Sequence, residues 1–175
     1  MGKSANGNEK FALWLKPDNE VYDVLNRIIN SLSREYDAPR FEPHITVAGD
    51  ISIPLTGLKE AVSEVAAKIE PMTLYLTETD YRDTLYQSLF IHVAPNDALL
   101  LLREQCLSEL GLEHKPYMPH ISLLYKEIDN DEKKKIVDRV GKRFDLVFIP
   151  DKLYLMRTTG EPGDWEEVMS VSLVS

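Results

Sequence analysis

The chain has 175 residues, of which 43% are hydrophobic and 28% are charged, a composition typical of one globular domain large enough to bury its own core. Basic side chains number 20 and acidic side chains 29, so the net charge is −9. Because long nucleic acids are bound largely through basic side chains that neutralise phosphates, this charge argues against a long nucleic acid as a partner and favours a small ligand.

The N-terminal segment MGKSANGNE, residues 1–9, is polar, and we predict a flexible tail ahead of the folded unit. It lacks the apolar core of a signal peptide, and no window of the chain approaches the roughly 18 apolar residues of a membrane span. The single cysteine, Cys106, cannot form an internal disulfide, which fits a reducing compartment. We therefore expect a cytoplasmic protein without a membrane partner.

Strands and helices alternate along the first half of the chain. Apolar residues at helical spacing indicate the helices, and short apolar or alternating runs bounded by turn residues indicate the strands. The predicted elements are a strand at 11–16, a helix at 18–36, a strand at 44–51, a helix at 57–69 and a strand at 72–79.

The second half repeats this order. Its predicted elements are a strand at 88–94, a helix at 96–110, a strand at 120–125, a helix at 129–140 and strands at 145–149, 153–157 and 167–173. We predict a single domain at 10–175 with an internal repeat of about 10–80 and 86–157. Matching Phe11 to Phe90 gives an offset of 90 − 11 = 79, whereas His44 and His120 are 120 − 44 = 76 apart, and a short insertion reconciles the two values.

Two pentapeptides, PHITV and PHISL, share the pattern proline, histidine, apolar, hydroxyl, apolar. The first contains His44 and Thr46, and the second contains His120 and Ser122. Residues i and i+2 of a strand point to the same face, so each histidine projects together with its hydroxyl while the apolar residues turn into the core. If the two halves pack symmetrically, the strands present two imidazoles and two hydroxyls to one cleft.

Such a cluster suits the cleavage of a phosphodiester without a metal ion. One neutral imidazole takes a proton from water, and a second, protonated imidazole donates a proton to the departing oxygen. The hydroxyls donate hydrogen bonds to the phosphate oxygens as negative charge develops in the transition state. The two motifs are nearly symmetric, so the sequence does not decide the roles; as a starting assignment, His120 is the base and His44 the acid.

The paired His-x-Thr/Ser motifs resemble the signature of the two-histidine (2H) phosphoesterase superfamily, and the resemblance extends from about Phe11 to Leu173. The chain is most similar to the plant and yeast type cyclic phosphodiesterases in its length, in an aliphatic N-terminal strand with a tryptophan, and in a tyrosine shortly after the second motif. This resemblance implies an α+β, bilobal and duplicated fold of the LigT-like kind. Two antiparallel β-sheets with outer helices would surround a central cleft.

The implied reaction is hydrolysis of ADP-ribose 1'',2''-cyclic phosphate, of nucleoside 2',3'-cyclic phosphates, or of both, to monophosphate esters, with by-products of tRNA splicing as a source. The residues implied for the site are the catalytic His44 and His120 and the substrate-binding Thr46, Ser122, Tyr125 and Trp14. No cofactor and no metal ion are expected, and the partner is a small cyclic phosphate nucleotide bound by a monomer. The cysteine pairs of plant members are absent, which excludes redox control through an internal disulfide.

Alternative interpretations remain open. A 2H enzyme could instead act on short RNA ends or 2',5' linkages, with the basic run from Lys133 to Arg143 as its RNA-binding surface. A nucleotide-binding module that kept the fold but lost turnover is disfavoured because both motifs are intact. A pure interaction protein would require the repeated histidine pattern to be accidental. Of the other reactive side chains, we predict that His92 is a hydrogen-bonded structural residue of its strand and that Cys106 is buried on an apolar helix face.

Overall fold

Four helices and eight strands form the described part of the chain, residues 9–174 of a computed structural model. The strands are β1 (Phe11–Leu15), β2 (Ile45–Ile51), β3 (Leu74–Asp80), β4 (Leu89–Val93), β5 (His120–Leu124), β6 (Arg143–Phe148), β7 (Lys152–Arg157) and β8 (Glu166–Ser172). The helices are α1 (Asn19–Glu35), α2 (Leu55–Ala66), α3 (Asp97–Leu110) and α4 (Asn130–Val140). The α+β class is as predicted, whereas residues 1–8 of the expected tail lie outside the described residues.

All eight strands belong to one antiparallel sheet with the order β6-β3-β4-β5-β2-β1-β7-β8. Its two central strands, β2 and β5, are joined through a single residue pair, Ile45 and Ile121. We call β2, β1, β7 and β8 the first lobe, and β5, β4, β3 and β6 the second lobe. The two predicted antiparallel sheets are therefore these two lobes, joined at a narrow junction into one sheet.

Each lobe contains strands from both halves of the sequence. Strand β3 lies in the first half of the chain but pairs with β4 in the second lobe. Strand β7 lies in the second half but pairs with β1 in the first lobe. This exchange ties the halves together, so neither sequence half forms a complete lobe.

The strand registers correct the offset derived from Phe11. Trp14 lies opposite Thr46 in the first lobe, and Phe90 lies opposite Ser122 in the second. The offset between these equivalent aromatic residues is 90 − 14 = 76, equal to the offset of the two histidines, and no insertion is needed. Phe90 therefore matches Trp14 rather than Phe11, while the extent of the sequence repeat stays a prediction.

The helices cover the face of the sheet opposite the two motif hydroxyls. Ile45 and Val47 of β2 and Ile121 and Leu123 of β5 are fully buried in the main hydrophobic core. Each such side chain stabilises the fold by about 1.5–3 kcal/mol relative to an exposed one, which anchors the two central strands. Cys106 is also buried, as predicted, and its burial raises the pKa of the thiol to about 12. Among residues 9–174, no helix is long and apolar enough to cross a membrane.

Candidate active site

A cleft of about 560 Å³ opens where the two lobes meet. It is lined from both lobes, at the junction where β2 and β5 are joined through a single residue pair. All six side chains predicted for the site contribute to its walls: Trp14, His44, Thr46, His120, Ser122 and Tyr125. The structure thus brings together residues that are up to 125 − 14 = 111 positions apart in the chain.

Both motif histidines are held by the same kind of contact, between Nδ1 and a backbone carbonyl two residues earlier in the chain. Nδ1 of His44 lies 2.7 Å from the carbonyl oxygen of Glu42, and Nδ1 of His120 lies 2.8 Å from that of Met118. Because a carbonyl can only accept, Nδ1 carries the hydrogen in both rings. Nε2 of each neutral imidazole is then a free proton acceptor, with no hydrogen-bond partner within residues 9–174.

The two imidazoles differ in how deeply they are buried. His44 is only 5% exposed, and its ring stacks on Trp14 with 3.5 Å between ring centres and 9° between planes. Burial lowers the pKa of His44 to about 4, and the positive charges of His120 and Lys16 act in the same direction. The hydrogen bond to the Glu42 carbonyl opposes this shift but does not outweigh it.

His120 is more accessible, and the edge of Phe90 lies 5.1 Å from it, measured between ring centres. Its pKa is also lowered, mainly by burial, with further contributions from the charges of His92 and Arg82. Burial favours the neutral form of a histidine. Both imidazoles of the free protein are therefore neutral at neutral pH, and His44 resists protonation more strongly.

The two hydroxyls are not equivalent. Ser122 donates a hydrogen bond of 2.9 Å to the backbone carbonyl of Tyr86. The Thr46 hydroxyl makes no hydrogen bond to another residue in the described chain. The Thr46 donor is thus available to a ligand, whereas the Ser122 donor already has a partner.

Aromatic side chains surround the histidines. Trp14 is 2% exposed and mainly supports the ring of His44, while Tyr125 is 4% exposed and stacks on Phe41 at 3.8 Å between ring centres. Trp165, which the sequence analysis did not single out, lies against the same cleft. A large aromatic residue within the polar stretch GEPGDWEE was the available signal, because no helix or strand periodicity accounts for a single apolar ring in such a segment.

His92 is hydrogen-bonded, as predicted, with Nε2 2.9 Å from an Asp80 carboxylate oxygen. It also lies directly opposite His120 on the neighbouring strand, so its charge reaches the site. This proximity depends on the pairing of β4 with β5, which no local pattern in the sequence predicts.

The basic run from Lys133 to Arg143, on α4 and the residues that follow it, is not a free cationic surface. Lys133 is 2% exposed and donates a hydrogen bond of 2.7 Å to the Arg82 carbonyl, so this residue is not part of a solvent-exposed basic surface. The other five basic side chains of the run each form an ion pair with an acidic side chain: Lys134, Lys135, Arg139, Lys142 and Arg143. None of the six lines the cleft. Between residues 9 and 174, no group of three or more His, Cys, Asp or Glu side chains is placed to hold a metal ion.

Residues 10–173 match the family described as cyclic phosphodiesterase-like protein. The chain belongs to this family. A cyclic phosphodiesterase of Arabidopsis thaliana is 26% identical over 171 residues, which are 93% of this chain and 94% of that protein. A 2',3'-cyclic-nucleotide 3'-phosphodiesterase of Yarrowia lipolytica is 28% identical over 143 residues, 75% of this chain and 64% of that protein. The prediction of a cyclic phosphodiesterase of the 2H superfamily is confirmed.

Solved structures show the same fold. TT0787 of Thermus thermophilus has a TM-score of 0.71 at 17% identity and covers 94% of this chain and 97% of its own. LigT of E. coli in its apo form has a TM-score of 0.67 at 16% identity and covers 97% of this chain and 100% of its own. The predicted LigT-like fold is thereby confirmed. LigT has also been crystallised with 3'-AMP, at a TM-score of 0.62, 14% identity, and coverage of 96% of this chain and 99% of its own.

Proposed function

We propose that the cleft opens cyclic phosphates on ribose, with nucleoside 2',3'-cyclic phosphates and ADP-ribose 1'',2''-cyclic phosphate as the candidate substrates. The observation that supports this most is the matched pair of imidazoles, each held through Nδ1 by a backbone carbonyl and each with Nε2 free. Two such groups on opposite sides of one cleft fit general acid–base catalysis of an in-line displacement at phosphorus. The names of the relatives from Arabidopsis and Yarrowia support the same substrate class.

In the proposed reaction, neutral His44 accepts a proton from water through Nε2 as the water oxygen forms its bond to phosphorus. The bond from phosphorus to one ribose oxygen breaks, and protonated His120 donates its proton to that oxygen. The deeper burial of His44 favours it as the base, which reverses the starting assignment. A bound phosphate anion raises the pKa of His120, because a nearby negative charge favours the imidazolium.

Thr46 and Ser122 serve as donors to the non-bridging phosphate oxygens. The Thr46 hydroxyl can donate as it stands, whereas the Ser122 hydroxyl has to turn away from the Tyr86 carbonyl that it contacts at 2.9 Å. Donors of this kind act most strongly in the transition state, where the charge on the phosphate oxygens is largest. Trp14 holds the ring of His44, and Tyr125 closes the floor of the cleft.

The decisive experiment is hydrolysis of ADP-ribose 1'',2''-cyclic phosphate and of the four nucleoside 2',3'-cyclic phosphates in the presence of EDTA. His44→Ala and His120→Ala are each expected to lower kcat by about a hundredfold or more, the usual contribution of a general acid or base. His114→Ala is the matched control, because His114 is 63% exposed and lies outside the cleft. Undiminished activity in both cleft variants would rule out the histidine pair, and an inactive wild type would reject the proposed function.

No observation favours the RNA-directed alternative, since the basic side chains of α4 are buried or ion-paired and lie outside the cleft. A small nucleotide as the partner is in keeping with the 3'-AMP complex of LigT. A monomer in the cytoplasm remains our expectation. Light scattering tests whether the protein is a monomer, and a molecular mass equal to that of a dimer would contradict this expectation.

A further inference from the structure

Strand β2 contains a β-bulge directly after the first histidine motif begins. Two adjacent residues of β1 pair with Thr46 and Ala48, so Val47 between them is an extra residue in β2. On its other edge, β2 pairs with β5 through one residue only in the described chain. A bulge disrupts the strand ladder locally and leaves its extra residue unpaired. Strand pairing alone therefore fixes Thr46 less firmly than a residue inside a regular ladder.

Two side chains from outside the strand bind the backbone of β2 at this bulge. Arg103 of α3 donates a hydrogen bond of 2.6 Å from Nη1 to the Val47 carbonyl. Residues 111–119, which we call the α3–β5 loop, connect α3 to β5 and contain Tyr117. The Tyr117 hydroxyl donates a hydrogen bond of 2.9 Å to the Thr46 carbonyl. The bulge is thus held by a helix and a loop that precede the second histidine motif.

Arg103 also holds Tyr117 itself. The guanidinium carbon of Arg103 lies 4.2 Å from the centre of the Tyr117 ring, and Nη2 donates a hydrogen bond of 3.3 Å to the Lys115 carbonyl in the same loop. A planar guanidinium can stack on an aromatic ring while its nitrogens donate hydrogen bonds. Burial raises the pKa of the Tyr117 hydroxyl, and the positive charge of Arg103 opposes this shift without outweighing it. The hydroxyl therefore stays protonated at neutral pH and remains a donor.

The same loop orients the second catalytic histidine. Met118 follows Tyr117 directly, and its carbonyl oxygen lies 2.8 Å from Nδ1 of His120. Tyr117 therefore binds Thr46 in the first lobe, while the next residue of the chain holds His120 in the second lobe. Neither Tyr117 nor Arg103 lines the cleft, so both act on the reaction only through other residues.

We propose that Tyr117 is a positioning residue that holds the Thr46 hydroxyl in place relative to His120. This inference rests on the proposed function, in which Thr46 donates a hydrogen bond to a non-bridging phosphate oxygen. Such a donor has to lie where charge develops, and a displacement of about 1 Å in an active site costs about a hundredfold in rate. Loss of the Tyr117 hydroxyl frees the Thr46 carbonyl but leaves β2 in the sheet, so a smaller displacement and a smaller loss are expected.

Tyr117→Phe is the main variant, because it removes only the hydroxyl and keeps the ring beside Arg103. The substrate is the cyclic ester that the wild type hydrolyses fastest. We expect kcat to fall about tenfold while KM changes less than about twofold, because the misplaced donor acts mainly in the transition state. Thermal unfolding of the variant shows whether the fold is retained.

Tyr36→Phe is the matched control. The Tyr36 hydroxyl likewise donates one hydrogen bond, of 2.7 Å to the Glu132 carboxylate, and Tyr36 lies outside the cleft. Its kcat should stay within about twofold of the wild-type value, because no group of the site depends on this hydrogen bond.

A double-mutant cycle with Thr46→Ala separates positioning from a general loss of structure. In the Thr46→Ala background the hydroxyl that Tyr117 positions is absent, so the addition of Tyr117→Phe should lower kcat by less than about twofold. A purely structural role of Tyr117 predicts instead that kcat falls by the same factor in both backgrounds.

The outcomes distinguish this inference from the proposed function. A wild-type kcat in Tyr117→Phe, a loss confined to KM, or the full loss of kcat in the Thr46→Ala background each rejects the positioning role, while the wild type remains a cyclic phosphodiesterase. If the wild type hydrolyses no cyclic ester, the proposed function fails and the positioning role fails with it.

Discussion

The two histidine motifs occupy matched positions in the sheet, yet their surroundings differ. His44 is deeply buried under the face of Trp14, while His120 is more accessible and meets only the edge of Phe90. The hydroxyl two residues after His44 has no protein partner in the described chain, whereas that after His120 contacts the Tyr86 carbonyl. The two histidines are therefore held by the same kind of backbone hydrogen bond but lie in different chemical environments.

This difference shows how a duplicated strand motif can supply both an acid and a base. Two identical sites would give two histidines with the same pKa, and a single proton would then have no preference for either histidine. Unequal burial separates the two pKa values, because desolvation disfavours the imidazolium more strongly at the deeper site. The proton of the singly protonated state then resides on His120.

The largest expected difference between the halves concerns the hydroxyls. Thr46→Ala should lower kcat by about 10²–10³-fold, the usual loss of a donor to a developing oxyanion, while Thr46→Ser should retain most activity. Ser122→Ala should cost less in kcat, because its hydrogen already has a partner in the free protein, and it should raise KM by loosening Tyr86. Steady-state kinetics on a nucleoside 2',3'-cyclic phosphate measures both, and equal losses in kcat alone would show that the hydroxyls are equivalent.

The second prediction uses the burial of His44. Its pKa is about 4 in the folded protein against an ordinary value of 6.5, so the unfolded chain binds more protons between these pH values. Stability should therefore fall as the pH drops through this window, by at most about 3 kcal/mol at pH 4. Urea unfolding of the wild type and of His44→Gln at several pH values isolates this contribution. Parallel pH profiles would contradict the depressed pKa.

Much of this site could be predicted from the sequence. The two-residue period of a β-strand was enough to place His44 on the same face as Thr46 and His120 on the same face as Ser122, because side chains alternate along a strand whatever its partners are. Helical spacing likewise predicted the burial of Cys106. These features depend on local geometry alone.

Other features depend on contacts between distant segments and could not be predicted. The exchange of β3 and β7 between the lobes follows from strand pairing across the whole chain. The burial of Lys133 requires a carbonyl from the loop after β3, and the contact between the rings of Tyr86 and Trp165 requires two loops that meet only in the folded protein. Single residues in such loops have no periodic pattern that could reveal them.

The third prediction compares the two aromatic supports. Trp14→Phe reduces the stack on His44, admits water and raises the pKa of this histidine, so kcat should fall about tenfold through loss of ring placement. Phe90→Leu removes an edge contact to His120 at 5.1 Å rather than a stack, and kcat should change less than about threefold. Thermal unfolding of both variants provides the control for folding. A larger loss of kcat in Phe90→Leu would mean that the stack does not position His44.

The smallest expected effects concern the charged groups that flank each histidine. Lys16 Nζ lies 2.8 Å from the Glu42 carboxylate in the first lobe, and His92 lies 2.9 Å from Asp80 in the second. The positive charge of each flanking residue lowers the pKa of its own motif histidine. Lys16→Gln should therefore raise the pKa of His44, and His92→Asn should raise that of His120.

The pH profile of kcat/KM reports these two shifts separately. If His44 has the lower pKa, Lys16→Gln should move the acid limb of the profile to higher pH and His92→Asn should move the alkaline limb. Both shifts should be small, because burial, which neither variant removes, is the main cause of the lowered pKa of His44 and of His120. Water and salt also screen the charges of His92 and Asp80, which are partly exposed. If Lys16→Gln instead moved the alkaline limb and His92→Asn the acid limb, His120 would be the histidine with the lower pKa. Unequal burial would then fail to explain the difference between the two halves.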